Sequence, residues 1–135
     1  MKISATLERA DVGIVAAAAE AEARRNGWAV TIAIVDHGGH LLALDRLDGA
    51  APATAHLAPA KANTAALVRK ESKEFEDQIN GGRFAFLSAP TLQGVLEGGV
   101  PIIKDGQCIG AVGVSGVRPE QDAQIARAGI AALGL

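Results

Sequence analysis

The apolar positions of this chain fall into two rhythms. Between Ser4 and Arg25, Leu7, Ile14, Ala18 and Ala21 recur at helical spacing with Val15 beside them, which predicts a long helix. Ser4 or Thr6 is placed to cap it, Glu8 suits its early turns, and Arg24 and Arg25 suit its negative end. Asn26-Gly27 is a stop, since either residue tolerates the left-handed conformation. The next run, Trp28 to Val35, is almost continuously apolar, as a strand covered on both faces should be. Asp36-His37-Gly38-Gly39-His40 then reads as a turn, and Leu41 to Leu47 as the returning strand of a hairpin.

Helical spacing returns from Pro52 to Lys70. Pro52 fits a first turn, whereas Pro59 sits in the interior and predicts a kink or short break. A shorter charged helix is expected over Glu71 to Ile79, closed by Asn80-Gly81-Gly82. Arg83 to Leu96 carries no clear period and reads as a loop with a short strand near its end. Val100 to Lys104 and Gln107 to Ser115 form a second hairpin. Its two-residue turn, Asp105-Gly106, is the pair that positive backbone φ favours. Gly110, Gly113 and Gly116 weaken the return strand, which points either to tight helix-on-sheet packing or to the approach of a ligand. A last helix opens at Pro119, with Glu120 and Asp122 in its first turn, and runs to Leu133.

Strands joined by tight turns are antiparallel. The expected architecture is therefore one α+β domain over residues 1–135, with a central antiparallel sheet of about five strands flanked by helices.

Composition narrows the function. At 135 residues and 49% hydrophobic, the chain suits one cored domain. A net charge of −2 and only four aromatic rings (Trp28, Phe75, Phe84 and Phe86) argue against a nucleic-acid partner. No apolar run is long enough to span a membrane, and the N-terminus lacks a signal-peptide core, so the expectation is a cytoplasmic protein without a membrane partner. The single cysteine, Cys108, excludes an internal disulfide and a multi-cysteine zinc site. The abundance of alanine and glycine limits the area each side chain buries and points to association with further copies of the chain.

Polar residues in apolar company mark the candidate chemistry. Lys61 lies among alanines on a packed helix and needs either water or an anionic partner, such as Asp48, Glu97 or a ligand carboxylate. Thr64 is three residues on, on the same side. Arg46 offers a planar fork to a carboxylate or pairs with Asp48. Gly98 and Gly99 are placed to expose backbone amides to an anion, and Ser115 and Gly116 end a strand, a frequent binding position. Glu97 is a candidate general acid or base beside Lys61. The histidines are too sparse for a zinc motif, but a haem iron needs only one or two axial ligands, for which His56 and then His40 are the candidates. No other metal site is indicated. There is no phosphate loop, nucleophile elbow or dinucleotide fingerprint.

Four groups of residues occur together in order: Val35 to Ala43 with Arg46, Asp48, Gly49 and Ala50; Lys61 to Ala65; Gly98 to Ile102 with Asp105 and Gly106; and Ile109 to Gly116 with Glu120 to Asp122. As a set they resemble the GlcG/HbpS family of haem-degrading or haem-binding domains (DUF336). The resemblance implies a profilin-like α-β-α sandwich, homo-oligomers built from dimers, and haem as a cofactor or ligand in some members. Other members sit in pathways that consume small organic acids. Glu97 stands where the resemblance implies a small residue or proline, and an acid there would repel haem propionates.

Two functional readings follow, with a non-catalytic oligomeric scaffold as a third. The first is a module that binds haem and assists its degradation. The alternative is an enzyme acting on a small unsaturated or amino-substituted carboxylate by hydrolysis, deamination or isomerisation. Whether the chain is an enzyme stays open on the sequence.

Overall fold

The structure is a computed structural model describing residues 1–135. Helix α1 (Arg9–Arg25) leads into the hairpin β1 (Thr31–Asp36) and β2 (Leu41–Arg46). Helices α2 (Thr54–Val68) and α3 (Lys73–Asn80) follow, then a 3₁₀ turn over Phe84–Ser88. The second hairpin, β3 (Gly99–Lys104) and β4 (Gln107–Ser115), leads to α4 (Pro119–Ala131). The sheet has the order β2-β1-β4-β3, with every neighbouring pair antiparallel. The two hairpins thus lie side by side, joined through β1 and β4.

The expected α+β architecture with helices on both faces is present, but the sheet has four strands rather than about five. No strand forms near the end of the 83–96 segment. There Phe84–Ser88 coils into a 3₁₀ turn, and Thr91 adopts φ +65° just after Pro90, so the backbone cannot run extended. Helix α1 begins later than its apolar spacing suggests. Glu8 rather than Ser4 or Thr6 caps it, through a reciprocal box in which Asp11 accepts the Glu8 N–H at 2.8 Å. Pro59 does not break α2; the helix continues through it, at the loss of one backbone donor.

The side chains of β1 and β4 alternate between two different layers. Ile32, Ile34, Val112 and Val114 face α1 and α4, where they meet Val12, Val15, Ile125 and Ala126 in the larger core cluster. Ala33, Val35 and Ala111 face α2, where the partners are Ala58, Ala62, Ala65 and Ala66. Gly113 decides how closely α2 sits. A Cβ on Gly113 would collide with the Ala58 carbonyl and the Ala62 amide, and one on Gly99 with the Lys61 carbonyl. The strand glycines here serve close helix-on-sheet approach. The Asp105-Gly106 turn has φ +50° and +75°, as the hairpin signal requires. The edges are unlike: β3 carries Pro101, suited to an edge, whereas β2 exposes Leu41, Leu42 and Leu44.

Candidate functional site

Helix α2 carries two polar settings, one sealed beneath it and one open on its outer side. In the sealed setting Lys61 is only 4% exposed. Its ammonium donates to the Val114 carbonyl at 3.0 Å and to the Asp122 carboxylate at 3.1 Å. Asp122 also accepts the Val117 N–H at 3.1 Å, so it ties the start of α4 to the end of β4. Burial pushes the Asp122 carboxyl above the usual carboxylate range, with Lys61 and the Val117 N–H pulling against that rise. The anionic partner of Lys61 is thus neither Asp48 nor Glu97. Sequence reasoning placed Asp122 in the first turn of the last helix but not over the end of β4. Only the antiparallel return of β4 brings the two residues together.

Thr64 is fully buried, and its hydroxyl has no hydrogen-bond partner. Gly98 adopts φ +128° and packs beside Val114 and the Lys61 ammonium. The Gly99 N–H donates to Ser72 Oγ at 2.9 Å, so that amide is already engaged. Ser115 is buried in register with Thr31, and Gly116 turns against the Ala29 carbonyl. Lys61 and Gly98 are therefore brought together around Val114, without an opening beside them.

Arg46 and Glu97 lie apart from this cluster. Arg46 is exposed at the end of β2, its Nε donating to the Ala50 carbonyl at 3.2 Å. Glu97 is half-buried, and its backbone N–H donates to Glu76 Oε2 at 3.2 Å. Its charge acts on Lys73, whose ammonium is held above its ordinary value chiefly by the Asp77 carboxylate at 2.6 Å.

The open setting is a cavity of about 260 Å³. Val35, Leu41, Pro59 and Ala60 give it an apolar wall, and Gly39, Asn63, Thr91 and Gln93 complete it. Three elements build it: the outer side of α2, the β1–β2 turn, and the segment 89–94 crossing the helix. Asn63 donates to the Gly39 carbonyl at 3.2 Å and fixes the turn to the helix. A Cβ on Gly94 would run into the Ala60–Lys61 backbone, so only glycine lets the crossing segment sit this low. Sequence reasoning did not find this cavity. Asn63, Pro59 and the isolated Gly94 were the available signals.

Two histidines flank the cavity. His56 is exposed on α2, and Ala60 and Asn63 follow at i+4 and i+7 on the same helix face. His40 lies between the lining residues Gly39 and Leu41, with its Nδ1 3.1 Å from Asp36 Oδ1. Asp36 also accepts the Gly38 and His40 N–H groups, at 2.8 and 3.0 Å. Desolvation pushes the Asp36 carboxyl up, but these contacts outweigh it and hold the group below its ordinary value. The contact orients the His40 imidazole and leaves Nε2 without a protein partner on a largely exposed side chain.

The family is decided by comparison with known proteins. A family model described as haem degrading protein HbpS-like matches residues 7–131. The chain belongs to the HbpS-like family. It is 51% identical to Protein GlcG of Escherichia coli (strain K12) over 115 residues, 85% of each chain. A crystal structure of HbpS matches with a TM-score of 0.90 and 31% identity, covering all of this chain and 95% of the other. A crystal structure of PduOC in complex with haem matches at 0.85 and 32% identity, covering 95% of each chain. The GlcG/HbpS resemblance and its α+β fold are thereby established.

Proposed function

We propose that this chain is a haem-binding module that works as a homo-oligomer. The observation that carries the reading is the apolar cavity on the outer side of α2, flanked by His56 and His40. A histidine-ligated haem site needs an apolar wall and an imidazole with a free nitrogen, and this place offers both. His56 is the first candidate ligand because it shares a helix face with two lining residues. His40 is a second, favoured by the Asp36 carboxylate that orients its ring.

The fit also limits how haem sits. A porphyrin is larger than any cavity of the chain, the roomiest of which is about 300 Å³. The macrocycle therefore enters by one edge, and its remainder lies against the outer face of α2 and a neighbouring copy. The leucines exposed on the free edge strand β2 support such assembly. Haem-bound PduOC, similar in fold and sequence, lends the reading further support. Bound haem would supply an iron able to exchange electrons or engage oxygen. In this reading Lys61 joins α2 to α4 through Asp122 rather than meeting the ligand. No helix is long and apolar enough to cross a membrane.

Titration of the purified protein with haemin tests the proposal. A sharp Soret band saturating at one haem per chain or per dimer is expected. Its loss or shift in His56→Ala locates the iron ligand on α2, and in His40→Ala on the hairpin turn. A broad band like that of free haemin, without saturation, overturns the reading.

A further inference from the structure

We infer that the cavity on the outer side of α2 receives the uncharged, alkyl-bearing edge of a porphyrin and rejects an edge that carries carboxylates. The inference rests on the haem reading above and adds the orientation and selectivity of binding. None of the residues lining the cavity is charged. Its wall is aliphatic at Val35, Leu41, Pro59 and Ala60. Its polar side chains are neutral and partly engaged: Asn63 commits one amide N–H to the Gly39 carbonyl, the Thr91 hydroxyl donates to the Pro90 carbonyl at 2.6 Å, and the Gln93 amide is the remaining one.

No lysine or arginine lines this space. Lys61 is sealed beneath the same helix against Asp122, and Arg46 bonds the Ala50 carbonyl at the far end of β2. A carboxylate entering here would lose its water and meet at best a neutral amide, with no positive charge to balance its own, which is unfavourable. An alkyl edge loses nothing by the same move and gains burial.

The shape of the cavity is set by the backbone. Thr91 holds φ +65°, a region that a β-branched residue rarely adopts. Such a conformation persists only where its surroundings over-determine it. Gly94, seated against the Ala60–Lys61 backbone, anchors the same segment three residues on. The crossing segment is thus held against α2 at Gly94 and forms one wall of the cavity. His56 lies ~6 Å along the helix axis from Ala60, one turn away. An iron held by His56 would bring a porphyrin edge towards Pro59 and Ala60, one turn along the helix, and a carboxylate-bearing edge would then belong on the solvent side.

The test compares three iron porphyrins by Soret titration of the whole protein: haemin, its dimethyl ester, and iron coproporphyrin III, whose propionates lie on every side of the ring. Haemin and the ester should bind within about three-fold of each other, and coproporphyrin about ten-fold or more weakly. Leu41→Lys, at an exposed rim position, should narrow the gap by bringing a cation to the cavity, with melting temperature checking that the fold is kept. Equal binding of coproporphyrin and haemin overturns the inference while leaving the haem reading intact. So does loss of binding on esterification, which would make the propionates the anchoring groups. Failure of all three to bind overturns the haem reading and the inference with it.

Discussion

The two faces of the sheet are built on opposite principles. Toward α1 and α4 the sheet presents Ile32, Ile34, Ile102, Val112 and Val114, and the layer is held by the volume these side chains bury. Toward α2 it presents Ala33, Ala111 and Gly113, and the layer is held by closeness, with α2 lying almost on the strand backbone. The first face tolerates loss of a methyl group better than the second tolerates a gain. The difference has a functional side. A helix packed mainly through alanine has its other faces free for polar residues, and α2 uses them for Lys61 on one side and for the Asn63 cavity on another.

The largest test of that contrast lies at the ion pair. Lys61→Ala would leave Asp122 buried and unpaired, and should cost about 3–5 kcal/mol in urea denaturation. The double change Lys61→Met with Asp122→Leu should recover most of it, because two apolar groups leave no unpaired charge. A single variant as stable as the parent would mean that the pair is not buried as described.

Next comes a matched pair of one-methyl changes. Gly113→Ala adds a methyl where the Ala58 carbonyl stands, and should destabilise by about 3 kcal/mol. Ile102→Val removes one from the opposite layer and should cost only about 1 kcal/mol. The reverse order would dissolve the distinction between the faces.

The smallest effect is a pH effect at the β1–β2 turn. Asp36 has a lowered folded-state value, so its stabilisation is present above its ordinary value of 3.8 and fades as pH falls through the folded value. Asp36→Asn should therefore flatten the acid limb of the stability–pH curve below pH ~4, by less than about 1 kcal/mol at this surface position. An unchanged acid limb would remove Asp36 as the organiser of His40.

Much of this was legible in the chain. The Asp105-Gly106 turn, the continuous apolar run of β1 and the Pro119 helix start are local signals, and each appears where its chemistry requires. Lys61 stood out because a lysine among alanines has few places to go. Its partner was not legible, because Asp122 is 61 residues away and only the tertiary fold joins them. The outer cavity was hidden for a similar reason. Its third wall is the segment around Thr91, which has no hydrophobic period and whose path is set by Pro90, a positive φ and the fit of Gly94. Small residues allow close packing without saying against what.

The most direct measurement is an amide chemical-shift map of the protein titrated with gallium protoporphyrin, a diamagnetic stand-in for haem. The account predicts that perturbations gather at Gly39, Leu41, Ala60, Asn63 and Gln93, around the outer side of α2. Perturbations gathered instead at the Arg24, Trp28 and Asp48 groove, at the opposite end of the hairpin, would contradict it.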